Sequence, residues 1–115
     1  MTLAVIEIDS LEYLRAAFGA HAAERHLFAV KAILDRHFGA GHVRKHTPTR
    51  FVVTGQSLLA LRLTLLETRH EFPGISFGTG YSLEQALDKL STDVVAREAC
   101  RRRALAGERP VWITK

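Results

Sequence analysis

The sequence predicts an α/β sandwich, a mixed sheet with helices packed against it. Short β-branched, apolar stretches alternate with segments of helical period. A proline-containing turn joins two of the extended stretches into a central hairpin. No repeat, low-complexity tract or linker interrupts the 115 residues, which is a length for one compact domain, residues 1–115.

The elements follow in order. Leu3 to Ile8 is apolar and β-branched, as a central strand should be. Asp9 and Ser10 offer an N-cap to a short helix, Leu11 to Phe18, which stops at Gly19. A longer helix runs from Ala22 to Phe38, with Leu27, Val30, Leu34 and Phe38 on one face, and Gly39 and Gly41 end it. His42 to His46 and Arg50 to Thr54 form the hairpin around Thr47-Pro48-Thr49, where Pro48 suits the second turn position because it needs no N–H. Ser57 caps a helix reaching Glu71, and its leucines spread widely enough to predict burial on more than one side. Pro73-Gly74 breaks it. Ile75 to Ser82 is a strand, Leu83 to Leu90 and Thr92 to Leu105 are helices, and Pro110 to Thr114 is a last strand. The order β-α-α-β-β-α-β-α-β is solved naturally by a ferredoxin-like palm.

Composition narrows the function classes. At 47% hydrophobic and 24% charged residues the chain is ordinary globular material rather than a disordered one. With one cysteine, Cys100, no intramolecular disulfide can form, so nothing points to an oxidising compartment. No apolar run approaches the roughly 20 residues of a membrane span, and the acidic residues in the first apolar stretch argue against a signal peptide. A cytoplasmic domain is expected. The net charge of +4 permits an anionic partner. The basic residues near the end (Arg97, Arg101, Arg102, Arg103) and around the turn (Arg44, Lys45, Arg50) read as a solvated helix face and a hairpin rim. The six histidines lack a zinc-site spacing, and Cys100 reads as a small core residue.

One pattern goes further. VIEIDSLEYLRAAFGAHAAERHL, residues 5–27, resembles the opening of GGDEF (diguanylate cyclase) domains, where a strand ending in D-I-D precedes F-K-x-I-N-D, then Y-G-H and G-D. Glu7 stands at the first aspartate, Asp9 at the second, Leu11 near the phenylalanine, Arg15 at the asparagine, Phe18-Gly19 at Y-G and Glu24 at the aspartate of G-D. Thr47-Pro48-Thr49-Arg50-Phe51 falls where the signature G-G-D/E-E-F would sit. Ile75 to Ser82 looks like the S-I-G-V-A strand, and Gly107-Glu108-Arg109-Pro110-Val111 like the closing G-R-N-x-V. The upstream L-T-G-L-x-N-R-R segment is missing.

The resemblance implies a nucleotide-cyclase palm and bacterial cyclic di-GMP signalling, but a dismantled site. The family holds divalent metal with the first strand carboxylate and the acidic third residue of the signature. Here these are Glu7 and the uncharged Thr49, so the Mg²⁺ site is expected to be lost. Arg50 adds a cation to the same turn, and unit charges ~4 Å apart repel by about 4 kcal/mol at an effective dielectric of 20. Pro48 removes a backbone donor where G-G would leave the chain open to a nucleotide. Of the guanine-reading positions, Glu24 keeps an acceptor pair while Arg15 presents only donors. The product-inhibition R-x-x-D is replaced at Phe38 and Gly41.

The expectation is therefore a catalytically silent regulatory or protein-interaction domain with no catalytic residue, no metal and no cofactor. Its vestigial nucleotide positions are Glu7, Arg15 and Glu24, and a protein partner or flanking domains are implied. Nucleotide sensing without turnover and residual cyclase activity are alternatives, and a homodimer is left open. RNA binding is disfavoured, because the aromatics that would stack on bases (Tyr13, Phe77, Tyr81, Trp112) are mostly expected in the core.

Overall fold

The computed structural model describes residues 2–9, 11–55 and 57–105. The elements are β1 (Thr2–Ile8), α1 (Leu11–Phe18), α2 (Ala20–Phe38), a 3₁₀ turn (Ala40–His42), β2 (Val43–Thr47), β3 (Arg50–Gly55), α3 (Leu58–Glu71), β4 (Ile75–Gly80) and α4 (Leu83–Leu105). The expected strand at Pro110 to Thr114, the G-R-N-like segment at 107–111, Trp112 and Ser10 lie outside the described residues.

The four strands lie in the order β2-β3-β1-β4. The sheet expected to be mixed is antiparallel at every described pairing, β1 with β3, β1 with β4 and β2 with β3. Each helical crossover skips one strand: β1 and β2 flank β3, and β3 and β4 flank β1. Parallel strands are thus never neighbours, which is the ferredoxin-like arrangement.

Alternation along β1 divides the core. Ala4, Ile6 and Ile8 face one side with Val43, Phe51, Val53 and Ile75, and pack under Ala23, Val30 and Leu34 of α2 and Leu61 and Leu65 of α3. Each such fully buried leucine or valine stabilises the fold by about 1.5–3 kcal/mol. Val5 faces the other side and packs with Ala86 and Leu90 of α4. Gly78 makes that packing close. A Cβ there would overlap the Ala86 carbonyl and the Leu90 amide, with the Lys89 carbonyl carbon at 2.8 Å.

Several local expectations hold. Gly19, at φ 94°, closes α1 by donating its N–H to the Arg15 carbonyl at 2.9 Å, and α2 starts directly after it. The Ser57 hydroxyl accepts from Ala60 N at the start of α3. Others do not. α4 is one helix of 23 residues rather than two. Ser91 is neither glycine nor proline, and Thr92 Oγ1 donates back to the Asp88 carbonyl at 3.3 Å without breaking the ladder. On α3 only one leucine face is buried, while Leu59, Leu63 and Leu66 are exposed, because the sheet lies on one side of that helix. Cys100 is exposed, not core. Tyr13 and Tyr81, two of the four aromatics mostly expected inside, are 69% and 65% exposed.

The far ends of α2 and α3 are tied by charge. His37 Nε2 donates to Glu71 Oε1 at 2.9 Å, and Arg36 donates to the other oxygen. These bonds, that of His37 foremost, hold the Glu71 carboxyl below its ordinary 4.5. A depressed carboxylate stabilises the fold fully above its unfolded value and loses that stabilisation as pH falls through the lower folded one. Glu71→Gln should therefore melt below wild type at about pH 5. The margin should shrink as the melts are taken to progressively more acid pH below 4.5.

Candidate functional site

The C-terminal end of β1, the β2–β3 turn and the second half of α4 converge on one cleft. Its volume is about 370 Å³, and Glu7, Asp9, Glu12, Thr49, Glu98 and Arg101 supply its polar lining.

The turn itself is tight. Thr47 pairs with Arg50, so only Pro48 and Thr49 lie outside the strands. Proline fixes φ near −65°, which excludes the left-handed turns that suit two-residue hairpins. The register shifts between Lys45 and Thr47, so a bulge at His46 absorbs the mismatch. The backbone of the turn is already engaged. The Thr49 N–H donates to Thr47 Oγ1 at 3.4 Å, and the Thr49 carbonyl accepts from Ile8 N at 3.1 Å.

Glu7 lies opposite Arg50 in the β1–β3 ladder, and the antiparallel register puts both side chains on the α4 side of the sheet. Arg50 Nε donates to Glu7 Oε1 at 2.7 Å, with the two side chains 35% and 27% exposed. Arg50 is therefore not a freely solvated rim residue.

Asp9 does not cap α1. Its side chain, 8% exposed, accepts from Ser76 Oγ at 2.8 Å and from Arg97 Nη2 at 2.6 Å, and Arg101 stands 3.8 Å away. Arg97 also donates to the Pro73 carbonyl at 2.5 Å. Arg97, read as part of a solvated face, thus points inward at a carboxylate 88 residues away, while Arg101 approaches it from an exposed position and Arg102 and Arg103 do stand in solvent. The signal that reveals them is the i, i+4 spacing of Arg97 and Arg101, which puts both on one turn-to-turn stripe of α4.

The positions expected to read guanine, Arg15 and Glu24, form no ion pair with each other among the described residues. Glu24 is exposed on α2, and Arg15 is exposed on α1 with Glu12 at 3.8 Å as its ion-pair partner. Neither lines the cleft. Phe51, the last signature position, is 3% exposed and serves the core. Beyond Asp9 a second cavity of about 580 Å³ is lined by Tyr13, Leu14, His26, Phe72, Arg97 and Arg101, with His26 tilted against Phe72 at 5.3 Å.

Neither a protein-family model nor a curated protein matches the chain. A solved structure does. The GGDEF domain of DgcB from Caulobacter crescentus, in complex with c-di-GMP, superposes with a TM-score of 0.65 at 16% identity, over 88% of this chain and 71% of that one. The chain has the GGDEF-domain fold. In a GGDEF fold the strand end and hairpin turn described above are where the sequence resemblance put its signature. Of the three vestigial positions, Glu7 lies there beside the signature turn Thr47 to Phe51, and Arg15 and Glu24 do not line that cleft. Among the described residues no helix is long and apolar enough to cross a membrane.

Proposed function

We propose that this GGDEF-fold chain does not convert GTP and acts as a regulatory, protein-interacting domain in cyclic di-GMP signalling. The observation that carries the reading is the bond from Arg50 to Glu7 at 2.7 Å. Of the two positions that would hold metal, the one that keeps a carboxylate, Glu7, already holds a cation supplied by the turn. A divalent ion would have to displace Arg50 and then bind beside its charge, and Thr49 offers a hydroxyl where a second carboxylate would be required. These residues do not fit Mg²⁺. The turn is also a poor phosphate cradle, since Pro48 has no N–H and that of Thr49 is used.

The test is incubation of the protein with GTP and Mg²⁺ or Mn²⁺, with chromatography of the nucleotides. GTP is expected to remain unconverted. Arg50→Ala, which frees Glu7, should be equally silent because Thr49 still brings no charge. Formation of linear or cyclic diguanylate by the wild type would overturn the reading.

A second reading, nucleotide sensing without turnover, draws on the cavity that places Tyr13, His26 and Phe72 beside Arg97 and Arg101. Saturable heat on calorimetric titration with GTP, without product, would favour it.

A further inference from the structure

We infer that the outer edge of β2 docks an acidic, extended segment of a partner protein, which adds a strand to the sheet and seats an apolar side chain between β2 and α2. β2 pairs only with β3 among the described residues, so its other edge presents unpaired backbone groups. The opposite edge differs. There Asp93 of α4 accepts the Phe77 N–H at 2.9 Å, so the chain caps β4 itself. No side chain among the described residues does this for a β2 amide.

Alongside the β2 edge runs a groove of about 460 Å³, walled by Leu27, Phe28, Ala32 and Phe51, with Lys31 and Lys45 at its rim. Phe28 is 82% exposed, a large apolar ring left uncovered among the described residues. The edge is also basic. Arg44, Lys45 and His46 are consecutive and exposed, and neither Arg44 nor Lys45 has an acidic partner among the described residues. Asp35, the acidic residue of the groove, is held by Lys31 at 2.9 Å and does not compensate them.

Strand alternation gives this charge a meaning. Lys45 lies opposite Phe51 and shares the groove side, whereas Arg44 lies opposite Val52 on the other face. A strand added to β2 would meet a cation on each face and an apolar slot on one of them. A second copy pairing through the same edge would set like charges against each other, which is unfavourable. An acidic strand has the opposite sign throughout, and the chain's net charge of +4 would steer it in. This names a partner chemistry for the interaction role proposed above and rests on that reading only for its context: GTP turnover would sink the reading and leave the edge intact.

The experiment is fluorescence anisotropy of the full chain with a short labelled peptide of glutamates carrying one central leucine, so that glutamates fall on both faces of the added strand. Saturable binding is expected. The same peptide N-methylated at alternate residues, which blocks the ladder, should not bind, and neither should one with lysine for glutamate. Lys45→Glu should weaken binding by at least about tenfold, as reversal of a contacting charge does. Phe28→Ala should also weaken it without unfolding the chain, since the ring is 82% exposed. No binding, equal binding of the N-methylated or lysine peptide, or indifference to Lys45→Glu would overturn the inference. So would self-association in sedimentation that Lys45→Glu abolishes, which would assign the edge to a second copy.

Discussion

Gly78→Ala is expected to destabilise the protein by about 3 kcal/mol, the upper end for overpacking, because the added methyl meets backbone. Its Cβ would overlap the Ala86 carbonyl and the Leu90 amide inside the continuous helix α4. Neither atom can rotate away. Relief requires the whole helix to lift from β4, which would also part Val5 from Ala86 and Leu90. Gly55 provides the contrast. A methyl there meets only Leu61 side-chain carbons, the nearest at 2.7 Å, and the leucine can change rotamer. Gly55→Ala should cost about 1 kcal/mol. Urea unfolding of the two variants and wild type measures both. Equal losses would show that α4 is not held rigidly at Gly78.

How far the sequence revealed this depends on the range of the interaction. Local chemistry was legible. Gly19 ends α1, Ser57 caps α3, and Pro48 sets the turn, because each acts within a few residues of itself. The strand bearing Glu7 was legible from its β-branched run. The break placed at Ser91 was a misreading of composition: a polar residue among helix formers does not stop a helix when its amide still has an acceptor. The burial of α3 went wrong for another reason. Periodicity gives the leucine faces of a helix but not how many layers lie against it, and here there is one.

The site was legible as positions and not as partners. Reading Thr49 and Arg50 showed what charge the turn carries, because that is a property of residue types. The pairing of Arg50 with Glu7 needed the register of β1 against β3, across 43 residues of chain. Arg15 shows the same limit. Its charge suits any nearby carboxylate, and the structure sets Glu12 of its own helix 3.8 Å away.

Asp9→Ala should be the other large loss, about 3 kcal/mol, because it leaves charged partners in a partly closed site. Asp9 is 8% exposed and gathers Ser76 from β4 and Arg97 from α4, so it joins the strand end, the sheet edge and the helix. Without it, Ser76, itself 1% exposed, loses its acceptor, and Arg97 retains only the Pro73 carbonyl. Much of the cost is then the unpaired arginine rather than the net worth of the pair. A double-mutant cycle separates the two. Arg97→Met removes the charge but keeps the length of the side chain packed there, so the double variant Asp9→Ala/Arg97→Met should recover much of the loss. Thermal unfolding of the four proteins decides. Additive losses would mean that Asp9 and Arg97 act independently and that their pairing does not hold α4 at the strand end. Coupling would make this ion pair the anchor that keeps α4 against the strand end and shapes the cleft beside Glu7 and Thr49.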